Sequence, residues 1–294
     1  MVEKTLSYTS ALRELMVLTK PGIVALVLIT TLGGLYIGSG GRVEPILAFW
    51  TLLGTGLAAA GSAVLNMVLD RDLDSLMERT QSRPLPRGAV NPGTSTAFGL
   101  LLILISFAVM FVFVNRVALF LTMIASFSYV VVYTILLKRR TPVATEIGGI
   151  SGSLPPVIGY VAGSGELDLR AFVLFLIMFM WQPPHFWALA LKYKDDYAKA
   201  GIPALPVVRG VKVTKIKTLL YTASLLPLSV LPSFIGMTGF LYFLTAVVST
   251  TLYILFTLKF LFSKKEEGMK LFFVSIIYLA VLFSMMIFDL VKDG

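Results

Sequence analysis

The sequence predicts an all-α integral membrane protein of about nine transmembrane helices around a central cavity, arranged as two four-helix halves plus a ninth helix. Three observations predict it. Hydrophobic residues fill 57% of the 294 positions and charged ones only 14%. The mean hydropathy is +0.87, far from the balance of a water-soluble domain. Apolar runs recur at roughly the 20-residue length a helix needs to cross a hydrocarbon core of about 30 Å. Backbone polar groups in lipid must be satisfied within the chain, so these runs are read as helices.

Taken in order, the runs place helices near residues 19–39, 45–69, 94–114, 117–137, 143–163, 170–191, 216–236, 239–262 and 270–290. The segment from Met1 to Lys20 has no short apolar core followed by a small-residue cleavage site, so no removable signal is expected. Lysine and arginine near helix ends resist translocation, and 21 of the 25 fall on one set of connections. That set holds Lys4, Arg13 and Lys20, the arginines between 71 and 87, Lys138 to Arg140, the run from Lys192 to Lys217, and Lys259, Lys264, Lys265 and Lys270. Only Arg42, Arg116, Arg170 and Lys292 fall on the other. The chain is therefore read as one transmembrane domain over 1–294, multi-pass in the plasma membrane, with the N-terminus cytosolic and the C-terminus outside.

The net charge of +9 thus gathers on one face, where it suits anionic lipid or an anionic substrate; for any single residue, topology alone is the competing role. Nucleic acid is not an expected partner, because the aromatics are spread through the apolar runs and form no stacking platform among the basic residues. There is no cysteine and only one histidine, His185, which removes disulfides, thiolate nucleophiles and Cys/His zinc sites. Any metal must sit on oxygen.

Two cytosolic connections are long, about 70–93 and 192–215, and both are expected to cap a site. Each runs on to Leu-Pro and Arg-Gly, as Leu85-Pro86-Arg87-Gly88 and as Leu205-Pro206 followed by Arg209-Gly210. This echo is the basis for two related halves.

The sharpest chemical signal is Asn66-Met-Val-Leu-Asp70-Arg-Asp72-Leu-Asp74, where the second helix meets the cytosol. Residues four apart share a helix stripe, so Asn66, Asp70 and Asp74 project together while Asp72 points away as a solvated or ion-paired neighbour. Like carboxylates at that spacing repel, and near a bilayer the penalty grows. The candidate counter-charge is Mg²⁺, which takes one or two carboxylates plus phosphate oxygens; pairing with Arg71 and Arg79 is the alternative.

A second acidic site, Lys192-Tyr-Lys194-Asp195-Asp196-Tyr197, ends the sixth helix. Counting back four and eleven residues from Asp196 places Lys192 and His185 on its face, and both acidic clusters are expected to open into one cavity. Arg83, Arg87, Lys138, Arg139 and Arg140 are cations suited to a diphosphate between them, Arg binding phosphate oxygens bidentately. Pro155-Pro156 and Pro183-Pro184 are expected to break the fifth and sixth helices beside that cavity. His185 and Trp181 are read either as site groups or as members of an interfacial aromatic belt, and Glu146 either as facing the cavity or as interfacial.

These residues resemble the UbiA superfamily of intramembrane prenyltransferases, and within it the protohaem IX farnesyltransferase (haem O synthase) family. Asn66-x3-Asp70-x3-Asp74 is similar to the superfamily's first acidic motif. Thr19-Lys20-Pro21-Gly22, Met77 to Leu85, Lys138 to Pro142, Gly148-Gly149 to Pro155-Pro156, Trp181-Gln182 with Pro184-His185-Phe186, and Asp196-Tyr197 to Val208 resemble the haem branch. Two departures stand out. Lys192 occupies the place of a carboxylate four before Asp196, which leaves Asp195 or Asp196 to hold a second metal or Lys192 to contact diphosphate. Ala144-Thr145-Glu146 stands where an Asn and an apolar run are expected.

The resemblance implies Mg²⁺-dependent transfer of farnesyl from farnesyl diphosphate, or a longer prenyl diphosphate, to a vinyl group of haem b, giving haem O for terminal oxidases. It implies metal ligands among Asp70, Asp74, Asp195 and Asp196, with Asn66 fixing geometry. Arg83, Arg87, Lys138, Arg139 and Lys192 would hold diphosphate, and His185, Trp181 and Tyr197 the haem. Membrane lipid, and haem A synthase or oxidase assembly, are the further partners. The rivals are a UbiA-type enzyme acting on a quinone precursor or lipid alcohol and, from another class, a secondary transporter.

Overall fold

Nine helices of at least 18 residues appear among the described residues, each where an apolar run sits in the sequence. This computed structural model describes residues 8–263 and 268–291; Lys4, Lys264, Lys265 and Lys292 lie outside them. In chain order the elements are α1 (Tyr8–Leu18), α2 (Pro21–Gly38), α3 (Pro45–Leu69), α4 (Arg71–Leu76), α5 (Pro92–Phe113) and α6 (Arg116–Leu137). They continue as α7 (Ala144–Ser164), α8 (Leu169–Lys192), α9 (Lys194–Lys199), α10 (Leu205–Val208), α11 (Gly210–Phe234), α12 (Phe240–Phe262) and α13 (Gly268–Phe288). Seven of the nine long helices are apolar enough to cross a membrane by length and composition. The other two are α7, rich in Gly, Ser and Pro, and α11, which carries Lys212, Lys215 and Lys217.

Local chemistry explains the boundaries. Pro21, Pro45 and Pro92 each occupy a first helical turn, where a missing N–H costs nothing. Asn91, Asn115 and Asp168 cap their helices with side-chain oxygens that accept backbone N–H groups. The proline pairs do not break helices as expected: α7 runs through Pro155 and Pro156, and α8 through Pro183 and Pro184. Both pairs are buried, and a membrane helix packed within the protein tolerates the freed carbonyls. The last ten residues of α6, Ser128–Leu137, wind as a π-helix, a form that tends to mark functional sites.

Helices α2 and α7 pack through glycine. A Cβ on Gly34 would lie 1.9 Å from the carbonyl oxygen of Pro156, and one on Gly38 2.0 Å from that of Tyr160. From the other side, a Cβ on Gly159 would lie 1.9 Å from the oxygen of Thr31. Two small-residue pairs spaced by four, Gly34/Gly38 and Gly159/Gly163, therefore face each other, which permits the backbone approach that drives helix association where lipid supplies no hydrophobic force. On α11, Thr214, Thr218 and Thr222 are buried and each donates its hydroxyl to the carbonyl four residues back, so these polar groups are satisfied within the apolar interior.

The two long connections occupy equivalent places, each following the second helix of a half. They meet: Leu73 and Met77 from α4 pack with Ala200 and Ile202 beyond α9, and Tyr197 packs against them. Both acidic segments therefore lie at the same end of the bundle.

Gly159→Val is expected to lower the unfolding temperature in detergent, at a cost of about 1–3 kcal/mol typical of overpacking, whereas Gly22→Ala, whose added Cβ meets nothing within 4 Å, should leave it unchanged. Equal melting of the two variants in a thermal-shift assay would remove the α2–α7 seam as a source of stability.

Candidate active site

Asn66, Asp70 and Asp74 stay on one stripe although α3 ends between them. The Asp70 amide donates to the Asn66 carbonyl at 2.9 Å and the Asp74 amide to the Asp70 carbonyl at 2.8 Å, so helical register carries across the junction into α4. All three side chains are buried. Buried carboxylates need partners, and other elements supply them. Asp70 Oδ2 accepts from Asn66 Nδ2 at 2.8 Å and from Lys138 Nζ. Both oxygens of Asp74 accept from Arg83 Nη1, at 2.9 and 2.7 Å. Asn66 turns its Oδ1 to Lys20 Nζ at 2.8 Å and also donates to Thr134 Oγ at 3.1 Å.

Each cation is delivered by a specific local structure. The π turns of α6 place Tyr133, Thr134 and Lys138 together, with Lys138 N bonding Tyr133 O and Thr134 Oγ bonding Tyr129 O, each across five residues. Arg83 returns to Asp74 because Leu85, two residues on, is buried among Leu18, Val64 and Met67. Lys20 stands at the start of α2 in the left-handed region, with φ 53° and ψ 61°, a conformation costing an L-residue about 1–2 kcal/mol. It is the only non-glycine residue with positive φ among those described. Burial, reinforced by Arg83 and Lys138, pushes its ammonium down to about 7 against the pull of Asp70 and Asp74. Burial also acts against the charge of Lys138, but Tyr133 and Asp70 outweigh it and hold that ammonium above the usual lysine value.

Other residues of the sequence reading lie elsewhere. Asp72 pairs on the exposed surface with Arg139, both oxygens at 2.7 Å, so Arg139 is bound outside the buried cluster. Arg87 reaches Glu14 on α1 at 2.5 Å, away from the carboxylates. Of the face expected for His185, Lys192 and Asp196, the first two lie on α8 and Asp196 lies on α9. Helix α8 ends at Lys192 and α9, which carries Asp195 and Asp196, starts at Lys194 with Tyr193 between them. Among the described residues, the side chains of Lys192, Asp195 and Asp196 have no ion-pair partner. Nor do Arg71 and Arg79 neutralise the acids; Arg79 lies 5.0 Å above the Tyr193 ring. Glu146 is buried and pairs with Lys217 at 3.0 Å. Further along α8, Trp181 and Phe272 sandwich the imidazole of His185, with ring centroids 4.5 and 4.3 Å away.

This bundle has known counterparts. Residues 27–284 match the UbiA prenyltransferase family. The chain belongs to the UbiA prenyltransferase family. A relative named protoheme IX farnesyltransferase, from Aquifex aeolicus strain VF5, is 63% identical over 292 residues, which cover 99% of this chain and all of that protein. Among solved structures, one concerning a digeranylgeranylglyceryl phosphate synthase in membranes superposes with a TM-score of 0.81 at 19% identity, over 95% of this chain and 98% of that one. A UbiA homolog from Archaeoglobus fulgidus, bound to GPP and Mg²⁺, has a TM-score of 0.62 at 18% identity, over 93% and 99% of the two chains. At those identities the likeness carries the fold.

The oxygen donors of this UbiA-family chain fit a divalent ion only in company with a ligand. Among the described residues no three carboxylate or imidazole groups lie close enough to hold a metal, so Asp70, Asp74, Asp195 and Asp196 do not form a ready cage; Arg83 occupies both Asp74 oxygens. Asp70 Oδ1, however, is buried without a hydrogen-bond partner, and among the described residues the carboxylates on α9 have no ion-pair partner. That is the pattern for Mg²⁺, which completes its shell with water and phosphate oxygens. Lys20 is the residue that sequence periodicity missed; its signal was the Lys-Pro-Gly start of α2 after a short amphipathic helix.

Lys20→Gly removes the left-handed strain and is expected to leave the melting temperature unchanged or raised, while prenyl diphosphate affinity falls at least tenfold. Lower melting with normal affinity would make Lys20 a structural residue only.

Proposed function

We propose that this chain transfers a farnesyl group from farnesyl diphosphate to a vinyl group of haem b, giving haem O. The full-length 63% identity to a relative named for that reaction carries the reading, and the buried cationic cluster supports it chemically. Asp70, with Asp74 and the Asp195/Asp196 pair, would hold Mg²⁺, which supplies Lewis-acid charge that stabilises the departing diphosphate. Lys20, Lys138 and Arg83 bind the diphosphate oxygens, and Asn66 keeps Lys20 and Asp70 in register. Arg87, Arg139 and Lys192 are rim charges that draw the anion in. The allylic C–O bond breaks, the electron pair leaves with diphosphate, and the haem vinyl carbon attacks the allylic cation. Water then captures the new cation and loses a proton, completing a hydroxyethylfarnesyl group. A site at the end of an apolar bundle keeps fixed charges effective during this step. His185, Trp181 and Tyr197 are the haem side of the site.

In the same reading, all nine long helices span the plasma membrane as one domain over 1–294, with the acidic segments and the N-terminus cytosolic and the C-terminus outside. The connections near 70–93 and 192–215 cover the site. Membrane lipid surrounds the bundle, and haem A synthase or oxidase assembly receives the product.

Incubating purified protein with haem b, farnesyl diphosphate and Mg²⁺ should yield a heavier, farnesyl-bearing haem by chromatography and mass, and EDTA should abolish it. Asp70→Ala and Asp74→Ala should lose at least a hundredfold in turnover with unchanged helical content, while Asp72→Ala, on the exposed surface, should retain most activity. Unmodified haem with prenylation of a phenolic or lipid-alcohol acceptor would move the chain to another UbiA branch, and prenyl diphosphate flux without any product would make it a transporter.

A further inference from the structure

His185 is held by two residues of α13, Ser275 and Phe272, and the hydrogen bonds of Ser275 bear on which nitrogen carries the imidazole proton. Ser275 is fully buried. Its Oγ lies 2.6 Å from the carbonyl oxygen of Phe272. A carbonyl oxygen has no hydrogen, so the one hydroxyl proton of Ser275 is committed to that bond. The same Oγ lies 2.7 Å from His185 Nδ1. With its proton already donated, Ser275 is an acceptor in this second contact, and Nδ1 must be the N–H. The backbone of Ser275 takes part as well: its carbonyl accepts the indole N–H of Trp181 at 2.8 Å. One serine thus orients both site aromatics of α8, and the Trp181 and Phe272 rings clamp the imidazole between them.

A neutral imidazole protonated at Nδ1 presents Nε2 as a lone pair, the form in which histidine ligates metals. Among the described residues Nε2 has no hydrogen-bond partner. We propose that Ser275 is a positioning residue which locks His185 in the Nδ1–H tautomer, so that Nε2 receives the iron of the porphyrin acceptor. The inference rests on the haem reading for its ligand, whereas the tautomer lock stands on geometry alone. The role is that of the outer partner that fixes tautomer and ring orientation in metal-binding histidines, whose loss typically weakens the metal about 10–100-fold. Here the metal arrives within the substrate, so the contact sets how the porphyrin is held while a vinyl group faces the prenyl donor.

Because His185 is the only histidine in the chain, protein labelled with ¹⁵N-histidine gives one pair of ring-nitrogen signals and reads the tautomer without substrate. The wild-type protein in detergent should show a protonated Nδ1 and an unprotonated Nε2. Ser275→Ala should shift the ring toward the Nε2–H form, and Ser275→Thr, which keeps the hydroxyl, should restore the wild-type pattern. Titration with ferric haem b, without prenyl diphosphate, should give an imidazole-ligated absorption spectrum that is lost in His185→Ala and requires about 10–100-fold more haem in Ser275→Ala. A wild-type spectrum with the proton on Nε2, or an unshifted Ser275→Ala ring, overturns the lock whatever the enzyme's activity. A haem spectrum unchanged in His185→Ala overturns the iron contact. Should Ser275→Ala not fold, the wild-type ring signals and the threonine variant still decide the tautomer. Failure of the haem reading would appear separately, as unmodified haem in the product assay.

Discussion

Two carboxylates buried at the end of an apolar bundle impose most of the local architecture around them. A buried charge without a partner costs several kcal/mol, and Asp70 and Asp74 are the least exposed charged residues among those described. Their partners come from distant parts of the sequence: Lys138 from the end of α6, Arg83 from the connection after α4, and Lys20, through Asn66, from the start of α2. Satisfying the acids therefore ties together three helix ends and a loop. The unusual backbone lies where this demand falls, in the π turns before Lys138 and the left-handed turn at Lys20.

How far the sequence reveals this depends on the range of the interaction. Asn66, Asp70 and Asp74 are legible because their relation is one of helical phase, which survives even the junction between α3 and α4. Apolar length was equally legible, and all nine long helices lie where the runs place them. Partner choice was not. Arg71 and Arg79 are nearer in sequence than Arg83 or Lys138, yet the burial of Leu85 and the π winding bring the latter pair in. The boundary at Tyr193 between Lys192 and Asp196 was not legible either, since no proline or glycine there announces it. The glycine seam of α2 and α7 was hidden too, since Gly34 and Gly159 acquire meaning only when the two helices are known to touch.

The halves of the bundle divide their work unevenly. After α3, Asp70, Asp72 and Asp74 each have a cationic partner within the protein; after α8 the equivalent connection carries acids and a lysine with no described ion-pair partner. On the proposed reading, the second segment completes its coordination with something from outside the chain. Helix α13 supplies Ser275 and Phe272 around His185. On the proposed reading, the ninth helix is tied to the acceptor side of the site and the first half to the donor side.

The paired state of the cluster also bears on what enters it. On the proposed reading, a metal ion arriving alone meets the ammonium groups of Lys20 and Lys138 and the guanidinium of Arg83, while a diphosphate arriving alone meets Asp70 and Asp74. In a low-dielectric setting each encounter leaves like charges close together. Only an ion and a diphosphate arriving as one body can exchange partners throughout, acids taking the metal and cations the phosphate oxygens, with no charge left unmatched. The cluster then works as a coincidence gate that admits the metal–diphosphate complex over either of its parts.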